Sequence, residues 1–297
     1  MYNFAGAPDS ARVRKIRLYN MKKKISVIIF VAVLAALVAG CTTYNKVIKS
    51  GDRELMYRTA LDYFEKEDYD KTLHLLQEVT YFYQGTARED TILYYTGMSL
   101  YQTLDFDSSE MIFDDFRRRF GRSPFIEDAE YMYAMTFYHR SPRADRDQTY
   151  TIEAIRYINE YVQRYPNSIM REQCLTRLDE LQNKLYNKEF INARTYYKIG
   201  RYKSAVVAFR NALAKYPQTP HREEILYLTT KSAYELAANS IESLQRERFL
   251  DVMDSYYTFV AEFPESAHRK DADKIMDVAR KYIELHPADE VENKIEI

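Results

Sequence analysis

Residues 189–217 read EFINARTYYKIGRYKSAVVAFRNALAKYP, and small and aromatic residues recur in it at Ala193, Tyr196, Gly200, Tyr202, Ala205, Phe209, Ala212 and Pro217. Ala193 and Ala205 are small where two antiparallel helices would approach most closely. Gly200 permits the tight turn between those helices, Tyr202 and Phe209 fill the seam, and Pro217 stops the second helix. The stretch reads as a helical hairpin.

This pattern resembles a tetratricopeptide repeat (TPR), and weaker copies lie in register elsewhere. Ala60, Tyr63, Tyr69, Thr72, Leu76 and Val79 form one; Gly97, Leu100, Phe106, Ser109, Phe113 and Phe116 form another, 37 residues later. A third has its first helix around residues 129–138 and its second at Ala154, Ile158, Tyr161 and Pro166, the two split by an insertion. A fifth uses Ala233 and Tyr234, then Val252, Tyr256, Phe259 and Pro264. Three second helices end alike, in Tyr165-Pro166-Asn167-Ser168, Tyr216-Pro217-Gln218-Thr219 and Phe263-Pro264-Glu265-Ser266. Each reads as a helix stop followed by the N-cap of the next helix. The expected fold is all-α, a TPR solenoid of about five helix pairs with a closing helix over residues 268–285.

Residues 169–199 contain no Gly or Pro, and Leu175, Leu178, Leu181 and Leu185 make an apolar stripe at helical spacing. One helix of about 45 Å is expected there, at 1.5 Å per residue, bracing the two halves of the chain. Two shorter helices meeting near Asn187 are the alternative. Repeats 1–3 then occupy residues 51–168, repeats 4 and 5 with the closing helix occupy 187–287, and an acidic tail spans 288–297.

Ahead of the repeats, Lys22, Lys23 and Lys24 precede an apolar and small-residue run over 25–39, which ends in Val38-Ala39-Gly40-Cys41. That arrangement looks like a bacterial lipoprotein signal. The run is short for a membrane span, which needs roughly 20 apolar residues; an ordinary signal peptide or an uncleaved anchor are the other readings. The resemblance implies that residues 1–40 are removed and that Cys41 becomes the acylated first residue, tethered to a membrane outside the cytoplasm. Residues 1–20 show no apolar period and Met21 opens a more typical signal, so Met21 rather than Met1 is the expected start. Residues 41–50 are read as a tether reaching at most about 35 Å when extended, which keeps the first repeat close to the membrane. Thr42 and Thr43 follow Cys41, with no Asp of the kind associated with inner-membrane retention. The periplasmic leaflet of the outer membrane is therefore the expected location.

Removal of the leader, which holds seven Lys or Arg and one acid, leaves 36 basic against 43 acidic residues, a net charge of −7. Such a chain has no general attraction to nucleic acid or to anionic lipid. With Cys41 acylated, Cys174 is alone, and it is read as a small core hydrophobe. His74, His139, His221, His268 and His286 are scattered, and none stands at ligand spacing from another His, Cys or acid. No phosphate-binding glycine loop or nucleophile elbow occurs, and paired acids such as Asp114-Asp115 read as helix surface. No cofactor, metal or enzymatic activity is expected. Most of the 28 Tyr fall on repeat seams, but those in Tyr81-Phe82-Tyr83 and Tyr94-Tyr95 cannot all point inward from one helix face. Tyr81, Tyr83, Tyr94 and Tyr95 are accordingly candidates for a binding surface, since aromatics give large contact area with little rotamer entropy lost.

A lipoprotein signal followed by five such repeats resembles the BamD family, lipoproteins of the outer-membrane β-barrel assembly (BAM) machinery. The most specific piece is the insertion Arg143-Ala144-Asp145-Arg146-Asp147-Gln148-Thr149, leading into Ala154 and Tyr165-Pro166-Asn167-Ser168. The stretch from Arg177-Leu178 through Tyr196-Tyr197 to Tyr216-Pro217-Gln218-Thr219 is similar to the same family. The resemblance implies a periplasmic scaffold whose C-terminal repeats dock the barrel-forming subunit BamA beside other BAM subunits, and whose N-terminal repeats meet unfolded outer-membrane β-barrel clients. The docking region it implies takes in Arg146, Asp147, Arg201 and Arg210. Relatives are expected to carry a basic residue just before the position of Phe209; this chain has Ala208, and Arg210 is the nearest substitute. Two other classes remain open: a periplasmic repeat adaptor for envelope division or peptidoglycan synthesis, and a glycan-binding lipoprotein of nutrient uptake. The first commonly begins with a coiled coil, and no heptad run precedes Ala60; the second needs stacking aromatics, and the chain has no Trp.

Overall fold

A computed structural model describes residues 44–287, and every regular element among them is helical. In order these are α1 (residues 44–50), α2 (Arg53–Glu65), α3 (Tyr69–Tyr83), α4 (Glu89–Gln102), α5 (Phe106–Arg119), α6 (Ile126–Arg140), α7 (Thr149–Arg164), α8 (Arg171–Lys198), α9 (Tyr202–Lys215), α10 (Arg222–Ala238), α11 (Glu242–Glu262) and α12 (Arg269–Leu285). The chain forms two compact units, one ending at Ile112 and one beginning at Phe113. That division falls inside α5, whereas the sequence puts the join of two halves in residues 169–199.

In the first unit the small residues of the repeat mark where helices touch. Thr72 Oγ1 donates to the Ala60 carbonyl (3.3 Å), and twelve residues again separate the partners where Ser109 Oγ donates to the Gly97 carbonyl (2.9 Å). The turns inside the pairs share one chemistry. At the end of α2, the Glu67 N–H bonds the Phe64 carbonyl and the Asp68 N–H bonds the Tyr63 carbonyl, each at 2.9 Å; Leu104 and Asp105 repeat this on Tyr101 and Leu100 at 3.0 and 2.9 Å. This pair of hydrogen bonds closes a helix on a left-handed residue, and φ is 60° at Glu67 and 64° at Leu104. Gly200 takes the same place after α8 in the second unit, with φ 72°. An aromatic pair five residues apart brackets each turn: Phe64 with Tyr69 (5.5 Å), Tyr101 with Phe106 (5.3 Å) and Tyr197 with Tyr202 (6.0 Å).

Met56, Ala60, Leu75, Leu76, Val79, Tyr83 and Ile92 form the core of this unit, and Val47 of α1 joins them at 6% exposure. Tyr44 packs edge-on to Tyr63 (5.9 Å), and its hydroxyl is hydrogen-bonded to His74 Nδ1 (2.7 Å). The expected tether over 41–50 is thereby corrected: residues 44–50 are a docked helix. Burying a valine stabilises by roughly 1.5 kcal/mol or more, which favours helix over extended chain here.

In the second unit α6 pairs with α7, α8 with α9 and α10 with α11, and α12 packs on the last pair. The α8 helix is continuous through Asn187 over 28 residues, about 42 Å at 1.5 Å per residue. Its first half serves the preceding pair: the Tyr131 hydroxyl donates to Gln173 Oε1 (2.7 Å) and that of Tyr138 to Glu180 Oε2 (2.5 Å). Its second half packs Phe190 and Ala193 into a core with Ala205, Phe209, Ile225, Tyr227, Phe259 and Met276.

The aromatic-proline stops behave differently from a simple N-cap. After Ser168, Thr219 and Ser266 the next helices begin three residues further on, at Arg171, Arg222 and Arg269. The hydroxyls instead accept the backbone N–H two residues on, from Met170 (3.2 Å), His221 (3.3 Å) and His268 (3.1 Å), holding a short turn that precedes the helix. That turn aims the next residue back onto the preceding repeat: His221 lies on Phe190 and His268 on Tyr227. In the first unit, Arg88 follows Thr86 by the same two residues and its guanidinium sits over the Tyr57 ring (4.8 Å).

Candidate interaction surfaces

The four tyrosines do not form one exposed patch. Tyr81, at the end of α3, is 88% exposed and its neighbour Phe82 is 60% exposed. Tyr83 turns inward at 8% exposure, and its hydroxyl donates to Glu54 Oε2 (3.1 Å). Arg88 completes that arrangement by pairing with Glu54 and donating to the Tyr83 hydroxyl (3.0 Å). The Arg88 guanidinium holds the Glu54 carboxyl down to about 2. Tyr83 is thus a structural link between α2 and the α3–α4 turn, correcting its assignment as a binding residue. Tyr95 is half-buried with its ring on Phe64 (4.7 Å), and Tyr94 meets it edge-on (5.4 Å). Burial pushes the Tyr95 hydroxyl up. Of the candidates, Tyr81 is the one fully presented to solvent, and Phe82 belongs with it. The end of a helix, where successive side chains splay to different sides, is the signal that would have separated the two from Tyr83.

Arg146 and Asp147 lie in the loop between α6 and α7, which is built from within. Gln148 is buried and its Nε2 donates to the carbonyls of Arg143 (2.8 Å) and Arg146 (3.0 Å), while its Oε1 accepts from Thr151 (2.7 Å). Lys188 of α8 donates to the carbonyls of Asp145 (3.2 Å) and Arg146 (2.9 Å), and Lys184 to the carbonyl and hydroxyl of Ser141 (3.2 and 2.9 Å). Burial lowers the Lys184 ammonium. Hydrogen bonds from Thr149 lower the Asp147 carboxyl. With its backbone groups satisfied in this way, the loop presents the Arg143, Arg146 and Asp147 side chains to solvent.

Arg201 is exposed at the start of α9, past the end of α8, which runs about 15 Å beyond Lys188. Arg210 lies at a different place, in a cleft of about 260 Å³ where α9, α10 and α11 meet. Leu213, Leu226 and Thr229 line its floor and Asp254, Ser255 and Thr258 its far wall. Arg222 is also on the rim, but its guanidinium is committed to both oxygens of Glu262 (2.6 and 2.7 Å). Arg210 reaches only Ser255 Oγ, at 3.5 Å, and forms no ion pair among the described residues. The docking candidates therefore occupy three separate places on the second unit. Asp254, Ser255 and Arg222 were not legible as site residues, because they converge from helices distant in sequence.

Cys41 and residues 288–297 lie outside the described residues. Among the described residues no group of three or more His, Cys, Asp or Glu is placed to hold a metal ion, and no helix is long and apolar enough to cross a membrane. Cys174 is fully buried, and burial pushes its thiol up.

The family described as YfiO, outer membrane lipoprotein, matches residues 49–243 and 191–287. Among characterised proteins, the outer membrane protein assembly factor BamD of Caulobacter vibrioides is 24% identical over 220 residues, 72% of this chain and 72% of that one. Its namesake in Haemophilus influenzae is 24% identical over 223 residues, 72% of this chain and 84% of that one. A putative BamD of Aquifex aeolicus is 25% identical over 203 residues, 66% and 65% of the two chains. A solved TPR2AB-domain complex of yeast Sti1 with pHSP90 aligns with a TM-score of 0.36 and 9% identity, covering 77% of this chain and 98% of that one, a distance that decides nothing.

Proposed function

The chain belongs to the YfiO family of outer-membrane lipoproteins, and on that premise we propose that it is a BAM-complex scaffold that assists insertion of β-barrel proteins into the outer membrane. The observation that carries the reading is the reach of the family match, from residue 49 to residue 287, across helices α2 to α12. In this proposal Cys41 carries the lipid and holds the chain on the periplasmic leaflet. The protein acts by holding partners and not by chemistry.

The second unit docks BamA and further BAM subunits, with Arg210 as the recognition charge. Its guanidinium forms no ion pair among the described residues and lines, exposed, a cleft shared with Leu213, Leu226 and Asp254, where an incoming acidic side chain could pair with it. An ion pair at an exposed arginine of this kind contributes up to about 1 kcal/mol, and more once a docked partner excludes water from it. Arg146 and Asp147, on the internally braced loop, and Arg201 extend the docking region. On the first unit, Tyr81 with Phe82 offers the surface for an unfolded client.

Purification through a C-terminal tag after detergent extraction tests the partner. BamA should co-purify with the parent chain and be lost or strongly reduced with Arg210→Glu, while the circular dichroism spectrum stays unchanged. Recovery of a division-site protein or a nutrient transporter in place of BamA would overturn the proposal.

A further inference from the structure

We propose that the edge of the first unit formed by the α2–α3 and α4–α5 turns lies against the lipid surface that holds the chain, with Leu104 inserted among the headgroups. The inference rests on the reading that Cys41 carries a lipid.

The position of α1 supplies the first ground. Tyr44 of α1 is fastened to this edge: its ring meets Tyr63 in the last turn of α2, and its hydroxyl meets His74 near the start of α3. Two residues, Thr42 and Thr43, separate it from Cys41. Three Cα steps span at most about 11 Å, so a lipid on Cys41 brings the α2–α3 turn to the bilayer surface. Because α2 to α5 are short-turned antiparallel helices, the α4–α5 turn falls on the same edge. Phe64 of α2 touching Tyr95 of α4 ties these two helices side by side.

Leu104 supplies the second, independent ground. It is 72% exposed and is held at φ 64°, in the turn position that Gly200 fills at φ 72° in the second unit. A leucine gains nothing from the left-handed conformation, which favours glycine. Nor does it gain from water. An apolar boundary facing the turn removes the second penalty, since it lets the side chain bury outside the protein.

Charge does not hold this edge to the membrane. The α2–α3 turn carries Glu65, Glu67, Asp68 and Asp70 against Lys66 and Lys71, an acidic balance that anionic headgroups would repel. The contact is therefore apolar, and added salt should leave it in place.

The full chain, with its lipid verified by mass, is labelled with an environment-sensitive nitrobenzoxadiazole dye at Leu104→Cys, Glu67→Cys or Tyr81→Cys. Cys174 is fully buried and stays unlabelled in the folded protein. Each is placed in phosphatidylethanolamine and phosphatidylglycerol vesicles that carry a spin-labelled lipid quencher. Quenching should be strong at residue 104 and weaker at 67, and near background at 81, which stands at the opposite end of α3. Quenching at 81 equal to that at 104, or none at 104 on lipidated protein, overturns the inference alone. A mass showing Cys41 without lipid sinks the anchor reading and the inference together. Leu104→Gly is the second variant. As lipidated protein on the same vesicles it should keep or raise the midpoint of thermal unfolding while lowering partition onto them about tenfold, the share of one buried leucine. A fall in thermal midpoint with unchanged partition would assign Leu104 to the fold and overturn the inference.

Discussion

His268 stacks flat on Tyr227, with ring centroids 4.1 Å apart and planes 9° from parallel. One repeat earlier, His221 meets Phe190 in the same way, at 4.3 Å and 9°. The distance from helix to following turn is thus set twice by the same device, and aromatic pairs of this kind contribute about 0.5–1.5 kcal/mol beyond the area they bury. His268→Ala should lower the unfolding free energy by about 1–2 kcal/mol in urea titration, while His268→Phe should recover most of the loss. Equal losses from both variants would mean that stacking contributes little.

Burial lowers the His221 imidazole below its ordinary range. A ring protonated less readily when folded than when unfolded contributes stability that is present above the unfolded value, near 6.5, and is lost as pH falls below it. Proton resonance titration should find His221 still neutral at a pH just below the unfolded value, where a solvent-exposed imidazole is largely charged. The parent should lose stability between pH 6.5 and 5 more steeply than His221→Phe.

Glu54 works in the acid range. Its carboxyl is held at about 2, first by the Arg88 guanidinium and then by Tyr83 and Arg58. A lowered carboxyl contributes stability that is present above the unfolded value and lost as pH falls through the folded one. Glu54→Gln should therefore flatten the fall in thermal midpoint between pH 4.5 and 2. The effect is small because the pair is open to solvent.

A Cβ at Gly200 would meet nothing within 4 Å, so Gly200→Ala tests backbone strain alone. It should destabilise by about 1 kcal/mol. Glu67→Gly, at the equivalent turn, should be neutral or stabilising in the same chemical denaturation assay.

Lys188 holds the carbonyls of Asp145 and Arg146, so Lys188→Ala should free the loop without unfolding the helices around it. Limited trypsin digestion should cut faster after Arg143 or Arg146, at an unchanged thermal midpoint. Unchanged cleavage would show that Gln148 suffices to order the loop.

The helix pairs were legible because small residues cannot be replaced where helices touch: Ala60, Gly97 and Ala193 all stand where they were read, opposite Thr72, Ser109 and Ala205. The stop signals were legible too, but the caps were displaced by two residues, since Ser168, Thr219 and Ser266 each serve a turn that precedes the helix. Binding surfaces were harder to read. Helical spacing tells which residues share a face; it does not tell that Tyr83 finds a carboxylate 29 positions away in Glu54, or that Arg210 and Asp254 line one cleft. Docking of α1 was missed because Tyr44, Val47 and Ile48 are too few apolar positions to establish a period.

The central claim is tested most directly by depleting the protein in its own cells and following a newly made outer-membrane β-barrel protein by its heat-modifiable mobility and protease resistance. Folded barrel should fall and unfolded, protease-sensitive chain should accumulate within the first generations of depletion, and the parent gene should restore assembly. Normal barrel assembly in cells emptied of the protein would contradict the scaffold role outright.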